Sequence, residues 1–181
     1  MQQKKPKKNK VARMVASIIV LALAGLWIYH LVPVEKIPTG VYIDRMLVVK
    51  SERKLYAYSG GKLIVTYAIA LGKQPLGAKE QEGDFKTPEG LYVIDGRNAQ
   101  SGYHKNLAIS YPNEWDKSVA AKLGKPTGGD IKIHGLENGK GYIGKFHRLK
   151  DWTNGCIALT DEEVDELYEH VPDGTIIEIR K

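Results

Sequence analysis

The chain holds one cysteine in 181 residues, Cys156. A lone thiol excludes an intramolecular disulfide framework. The five histidines lie apart in sequence and no second cysteine exists, so no zinc-ligand spacing is present and neither a metal nor a cofactor is expected. Acidic residues are missing from the first 13 positions, which carry Lys4, Lys5, Lys7, Lys8, Lys10 and Arg13. Those six charges equal the formal net charge of +6, so the rest of the chain is neutral. The basic character is therefore a topology signal and not a nucleic-acid footprint. No arginine-rich helix or basic–aromatic strip follows, which argues against a nucleic-acid partner. Internal repeats are absent, as are low-complexity tracts beyond the lysines.

What is present begins with a long apolar run over 14–34, interrupted mainly by Ser17 and His30. About twenty apolar residues suffice to cross a bilayer as a helix. The basic flank 1–13 is expected to stay cytoplasmic and residues 40–181 to lie outside the membrane, in the periplasm or its equivalent. Ala22-Leu23-Ala24 resembles a signal-peptide cleavage site. The run continues past it through Leu26, Trp27, Ile28, Tyr29, Leu31 and Val32, which favours an uncleaved anchor. No cysteine lies near the run, excluding a lipoprotein anchor there.

Pro33, Pro38 and Gly40 mark a linker over 35–40, and 41–181 is one domain's length of chain. The pattern predicts a mainly β domain, a sandwich or barrel with one or two short helices. Strands are expected over 41–49, 54–58, 63–71, 91–94, 107–110, 131–133, 157–159 and 175–179, with a hairpin turn at Ser59-Gly60-Gly61-Lys62. A helix is expected over 161–170, opened by a Thr160/Glu163 capping box with Val164, Leu167 and Tyr168 on its core face. A weaker helical pattern covers 114–123.

A free cysteine following glycine has two readings, a small buried hydrophobe or a nucleophile. Export places it in an oxidising compartment without a partner. The segment Ile131-Lys132-Ile133-His134-Gly135 offers a base. Together these favour catalysis. A thiol is mostly protonated at neutral pH and needs such a neighbour. Glycine before it permits a tight turn or a close backbone approach.

Three ordered segments then carry a resemblance. Lys50-Ser51-Glu52-Arg53-Lys54-Leu55-Tyr56 precedes the Gly-Gly hairpin. Gly83-Asp84-Phe85-Lys86-Thr87-Pro88-Glu89-Gly90-Leu91-Tyr92 comes next. Ile133-His134-Gly135 is followed, after a loop, by Thr153-Asn154-Gly155-Cys156-Ile157. Over about 40–180 the chain resembles the L,D-transpeptidase catalytic domain family (YkuD-like). The resemblance implies a β-sandwich-like fold and peptidoglycan stem peptides as partners, a donor tetrapeptide and an amine acceptor. It implies Cys156 as nucleophile through a thioester, His134 as base, and the Gly135 carbonyl orienting the imidazole. The backbone N–H groups of Asn154, Gly155 and Cys156 would form the oxyanion hole.

The chain also departs from the family pattern. Asn154 stands where histidine is usual, and Ala158 where a polar residue often follows the cysteine, which leaves recognition of the donor's carboxylate unassigned. His134 and Cys156 are 22 positions apart, a long gap whose surplus runs through Asn138-Gly139-Lys140-Gly141 to Arg148 and serves as a lid or as a surface insertion. Tyr142, Arg148, Trp152 and Thr153 are candidates to line a substrate groove, with packing the alternative for the aromatics. His147 is a rival base or a solvated loop histidine; His104 and His170 read as surface residues. Asp84 and Thr87 read as turn residues, and Asp151 as a turn cap or a residue that orients the base. Three functions fit: a transpeptidase, a hydrolase or carboxypeptidase using the same thioester, and an inactive wall-binding module.

Overall fold

A computed structural model describes residues 8–181. The tail 1–13 lies partly outside the described residues. The chain divides into two units, 1–33 and 34–181. The first contains helix α1 (Lys8–Leu31), whose stretch Lys10–Leu31 is long and apolar enough to span a bilayer.

The second unit holds eight strands: β1 (Arg45–Val49), β2 (Lys54–Ser59), β3 (Lys62–Ala68), β4 (Gly90–Ser101), β5 (His104–Ile109), β6 (Lys132–His134), β7 (Ile157–Ala158) and β8 (Ile176–Arg180). Two helices accompany them, α2 (Glu114–Lys122) and α3 (Asp161–His170), along with a 3-10 segment Gly141–Leu149. The strands form one sheet in the order β3-β2-β1-β8-β4-β5-β6-β7. β1 lies between antiparallel β2 and parallel β8. Its residues Met46, Leu47, Val48 and Val49 are all buried, so it reads as a continuous apolar run.

β4 carries register shifts after Ile94 and Asn98, the local kinks by which a long strand bends. It pairs with β8 through Gly90–Val93 and with β5 beyond. One core takes Met46, Leu55 and Val65 from one half of the sheet and Leu107, Ile133 and Ile157 from the other. Beyond β3, Ala70 bridges to Ala158 and Gly72 to Thr153, so the two edges of the sheet meet at one corner. That corner carries the cysteine.

The structure has the mainly β fold with two short helices that the sequence pattern predicts. Both helices begin with capping boxes, Thr160 with Glu163 and Asn113 with Asp116. The largest difference from the pattern is β4, expected as four residues and found as twelve. Its outer half, Asp95–Ser101, is polar and solvent-facing, with little periodic burial for sequence reading to detect.

Candidate active site

Strand β6 presents Lys132 and His134 on one face, because alternate strand residues point the same way. His134 is buried, and its Nδ1 lies 2.7 Å from the Gly135 carbonyl oxygen. A carbonyl accepts and cannot donate, so Nδ1 carries the proton and Nε2 of the neutral ring is left as the acceptor. Burial holds the imidazole below its ordinary pKa, and the Lys132 charge acts the same way against the Gly135 bond. Tyr103 packs on His134 at 4.9 Å between ring centroids and Trp152 at 5.6 Å. Gly135 has no room for a side chain: a Cβ would stand 2.5 Å from Asp161 Oδ1.

Cys156 ends a tight turn between the sheet corner and β7. The Thr153 hydroxyl donates to the Cys156 carbonyl (2.7 Å) and accepts from the Gly155 N–H (3.1 Å). Gly155 has φ +137°, and a Cβ there would approach the Lys86 carbonyl oxygen at 2.8 Å. Conformation and space both demand glycine. The Gly155 N–H, expected among the oxyanion donors, is thus engaged inside the turn. The thiol is half-buried, its Sγ 3.5 Å from the Asp130 carbonyl. Burial pushes its pKa up, while the backbone N–H and charge of Lys132 act in the opposite direction.

The turn is braced from outside. Asp151 accepts from Arg53 (Nε and a terminal N–H, 2.9–3.3 Å) and from the Leu71 N–H (2.9 Å). It ties the cysteine turn to the β1–β3 region and does not touch the imidazole. Thr87 Oγ1 accepts from the Gly72 N–H at 3.1 Å. The buried ammonium of Lys50 donates to the carbonyls of Gly77 and Thr87 and to Glu89. Asp84 accepts from the N–H groups of Glu80, Gln81 and Lys86 and from Lys79, which keeps its carboxyl below the ordinary range.

A pocket of about 520 Å³ brings together Cys156, His134, Trp152, Thr153 and Asn154. Sequence reading missed part of its lining: Tyr103 and the β4–β5 hairpin, together with Lys73 and Lys132. That signal existed only as the alternation of Lys132 with His134; the hairpin has none. Two expected groove residues lie elsewhere. Tyr142 is 79% exposed, and Arg148 is half-buried and turned away, paired with Glu163 of the α3 capping box. His147 is not solvated. It is buried, accepts at Nδ1 from Trp152 Nε1–H (3.4 Å), and is pushed down to about 3 by burial first and by the Arg148 charge second. His104 and His170 are half-buried, bound to Asp165 and to the Val41 carbonyl. The 141–149 segment lines a separate apolar groove with Leu136, Ile143, Phe146 and Leu149, and that groove meets the thiol pocket at Trp152.

The model of the L,D-transpeptidase catalytic domain matches residues 43–179. The chain belongs to the L,D-transpeptidase catalytic domain family. It is 30% identical over 139 residues to the Escherichia coli (strain K12) protein YafK, covering 72% of this chain and 47% of YafK. Among solved structures it is similar to the helical cell shape determining protein Pgp2 of Campylobacter jejuni, at 29% identity and a TM-score of 0.59, over 78% of this chain and 49% of Pgp2. Bd1075 of Bdellovibrio bacteriovorus follows at 25% identity and a TM-score of 0.55, over 81% of this chain and 51% of that one. The chain therefore spans about half the length of these relatives.

Proposed function

We propose that the domain is a peptidoglycan L,D-transpeptidase that works through a Cys156 thioester. The observation that carries this reading is one shared pocket: the chain's single thiol and a buried imidazole with its Nδ1 pinned, so that Nε2 is free to take a proton. Thiol and imidazole are both neutral at rest, since burial disfavours each charged form. Proton transfer from Sγ to Nε2 accompanies attack of sulfur on the donor carbonyl. The N–H groups of Cys156 and Asn154 face the developing oxyanion, a contribution of about 3 kcal/mol per donor in comparable sites. Collapse expels the terminal D-alanine, whose amine takes the proton from His134. The acceptor amine then attacks the thioester and restores the thiol. Helix α1 anchors the chain, with the lysine-rich end cytoplasmic and the domain on the cell-wall side.

A second reading, hydrolysis of the same thioester, has one observation in its favour. The 141–149 segment, for which the sequence leaves a lid and a surface insertion both open, is not among the residues that line the thiol pocket. Water exclusion then falls to Tyr103 and the β4–β5 hairpin. Mass spectrometry of a donor tetrapeptide and an amine-bearing acceptor incubated with the full chain in detergent tests both readings. Crosslinked dimer exceeding trimmed tripeptide at saturating acceptor supports the transpeptidase, and the reverse supports the hydrolase. Untouched peptides, with an unacylated Cys156, would leave a wall-binding module. Deleting residues 139–144 is expected to leave the product ratio unchanged, because that segment contributes nothing to the pocket wall.

A further inference from the structure

The family's polar residue after the cysteine is Ala158 in this chain, and Ala158 is fully buried in the sheet corner. Something else must recognise the negative charge of a stem peptide. The thiol pocket contains two cations, Lys73 and Lys132. They differ in one physical respect. Lys132 lies 3.5 Å from the Asp130 carboxylate. Lys73 donates at 2.9 Å to Asn154 Oδ1, a neutral amide.

A carboxylate partner cancels an ammonium's field, as happens at Lys50, Lys79, Lys86 and Lys105. An amide oxygen positions the ammonium and leaves its charge uncompensated. An ammonium has three donors, so two remain after the Asn154 bond. The Phe85 ring lies 5.1 Å beneath the same Nζ. The Lys73 backbone N–H is bonded to the Thr153 carbonyl at 3.0 Å, which fixes the lysine to the nucleophile turn itself. A positioned, exposed, uncompensated cation lining the thiol's pocket is suited to a carboxylate.

We propose that Lys73, held in place by Asn154, is the residue that binds a free carboxylate of the acyl donor and so selects it. This rests on the transpeptidase reading for the identity of the donor. The unusual Asn154 then has a reason. A histidine there would not offer the same amide acceptor, and an aspartate would neutralise the lysine. The carboxylate comes from the departing terminal residue or from a side chain nearer the acyl end; the two share one chemistry.

The test separates binding from turnover. Binding is measured by calorimetry on the full chain in detergent, carrying Cys156→Ala, against a stem tetrapeptide with all carboxyls free and against derivatives with one carboxyl amidated at a time. Lys73→Met is expected to weaken binding of the free peptide by about 10- to 100-fold, the range for hydrogen bonds to charged groups. Asn154→Asp should weaken it comparably although the lysine remains, and Lys73→Arg should retain most of the affinity. Added salt should weaken the parent protein more than Lys73→Met. The monoamide whose binding no longer responds to Lys73→Met identifies the source of the carboxylate. Equal losses for the free peptide and every monoamide would overturn the proposal, as would no loss at all. Turnover by the parent chain is read separately. Lys73-dependent binding without turnover defeats the enzyme reading alone, turnover with Lys73-independent binding defeats this inference alone, and neither binding nor turnover defeats both.

Discussion

At Cys156 two forces act on one proton. Desolvation favours the neutral thiol, and Lys132 favours the thiolate; burial is the larger. His134 is also held neutral. The resting pair is therefore thiol and imidazole, unlike a preformed thiolate–imidazolium pair. The iodoacetamide alkylation rate of the full chain should accordingly rise with a midpoint above the ordinary thiol range, near 8.5. His134→Gln should leave that midpoint high yet lower turnover by about 10²- to 10⁴-fold, the usual contribution of a general base. A parent midpoint near 6 would contradict the neutral pair. His147 carries a different pH signature. Its folded pKa of about 3 lies below the ordinary 6.5, so the unfolded chain binds the proton that the folded chain excludes. Its stabilisation is fully present above pH 6.5 and is lost as pH falls towards 3. Denaturant unfolding of His147→Gln between those limits should show a shallower acid loss than the parent; an equal slope would remove His147 from the linkage.

At the scale of elements, α3 is held by more than its apolar face. Glu163 closes the capping box through the Thr160 N–H and is paired with Arg148 across to the 141–149 segment. The Arg148 and Glu163 side chains are only 11% and 3% exposed. Removing one partner strands a buried charge, so Arg148→Met should lower unfolding stability by about 3–5 kcal/mol. Arg148 had been a groove candidate on sequence grounds, and this prediction separates the two roles. A loss of turnover without a loss of stability would return it to the substrate. The local pattern 160–163 announced the helix start, since a capping box lies within four residues. The Arg148–Glu163 contact had no comparable sequence signal, because the partners are 15 residues apart on elements of different type.

For the whole molecule, the chain divides into two units. The apolar helix stands apart in composition from a charge-neutral β domain. External protease added to spheroplasts should digest the C-terminal domain and spare an N-terminal tag; the opposite pattern would reverse the orientation. Within the domain, the cysteine turn is placed by distant chain. Asp151 reaches Arg53, Gly72 bridges to Thr153, and the 72–89 loop presses on Gly155. Cys156 thus sits where both edges of the sheet meet.

The sequence by itself determined what short-range chemistry dictates. The apolar run, the strand alternation, the Gly-Gly hairpin, the Thr160 cap and the ordered His134–Gly135 and Gly155–Cys156 motifs are all written within a few residues. The tertiary structure alone decided which donors and charges are free. It engages the Gly155 N–H with Thr153, buries His147 under Trp152, turns Arg148 towards Glu163 and leaves Lys73 with an amide for a partner. Whether a polar group is satisfied, buried or compensated depends on neighbours brought by sheet register from tens of residues away, and local sequence does not encode that register.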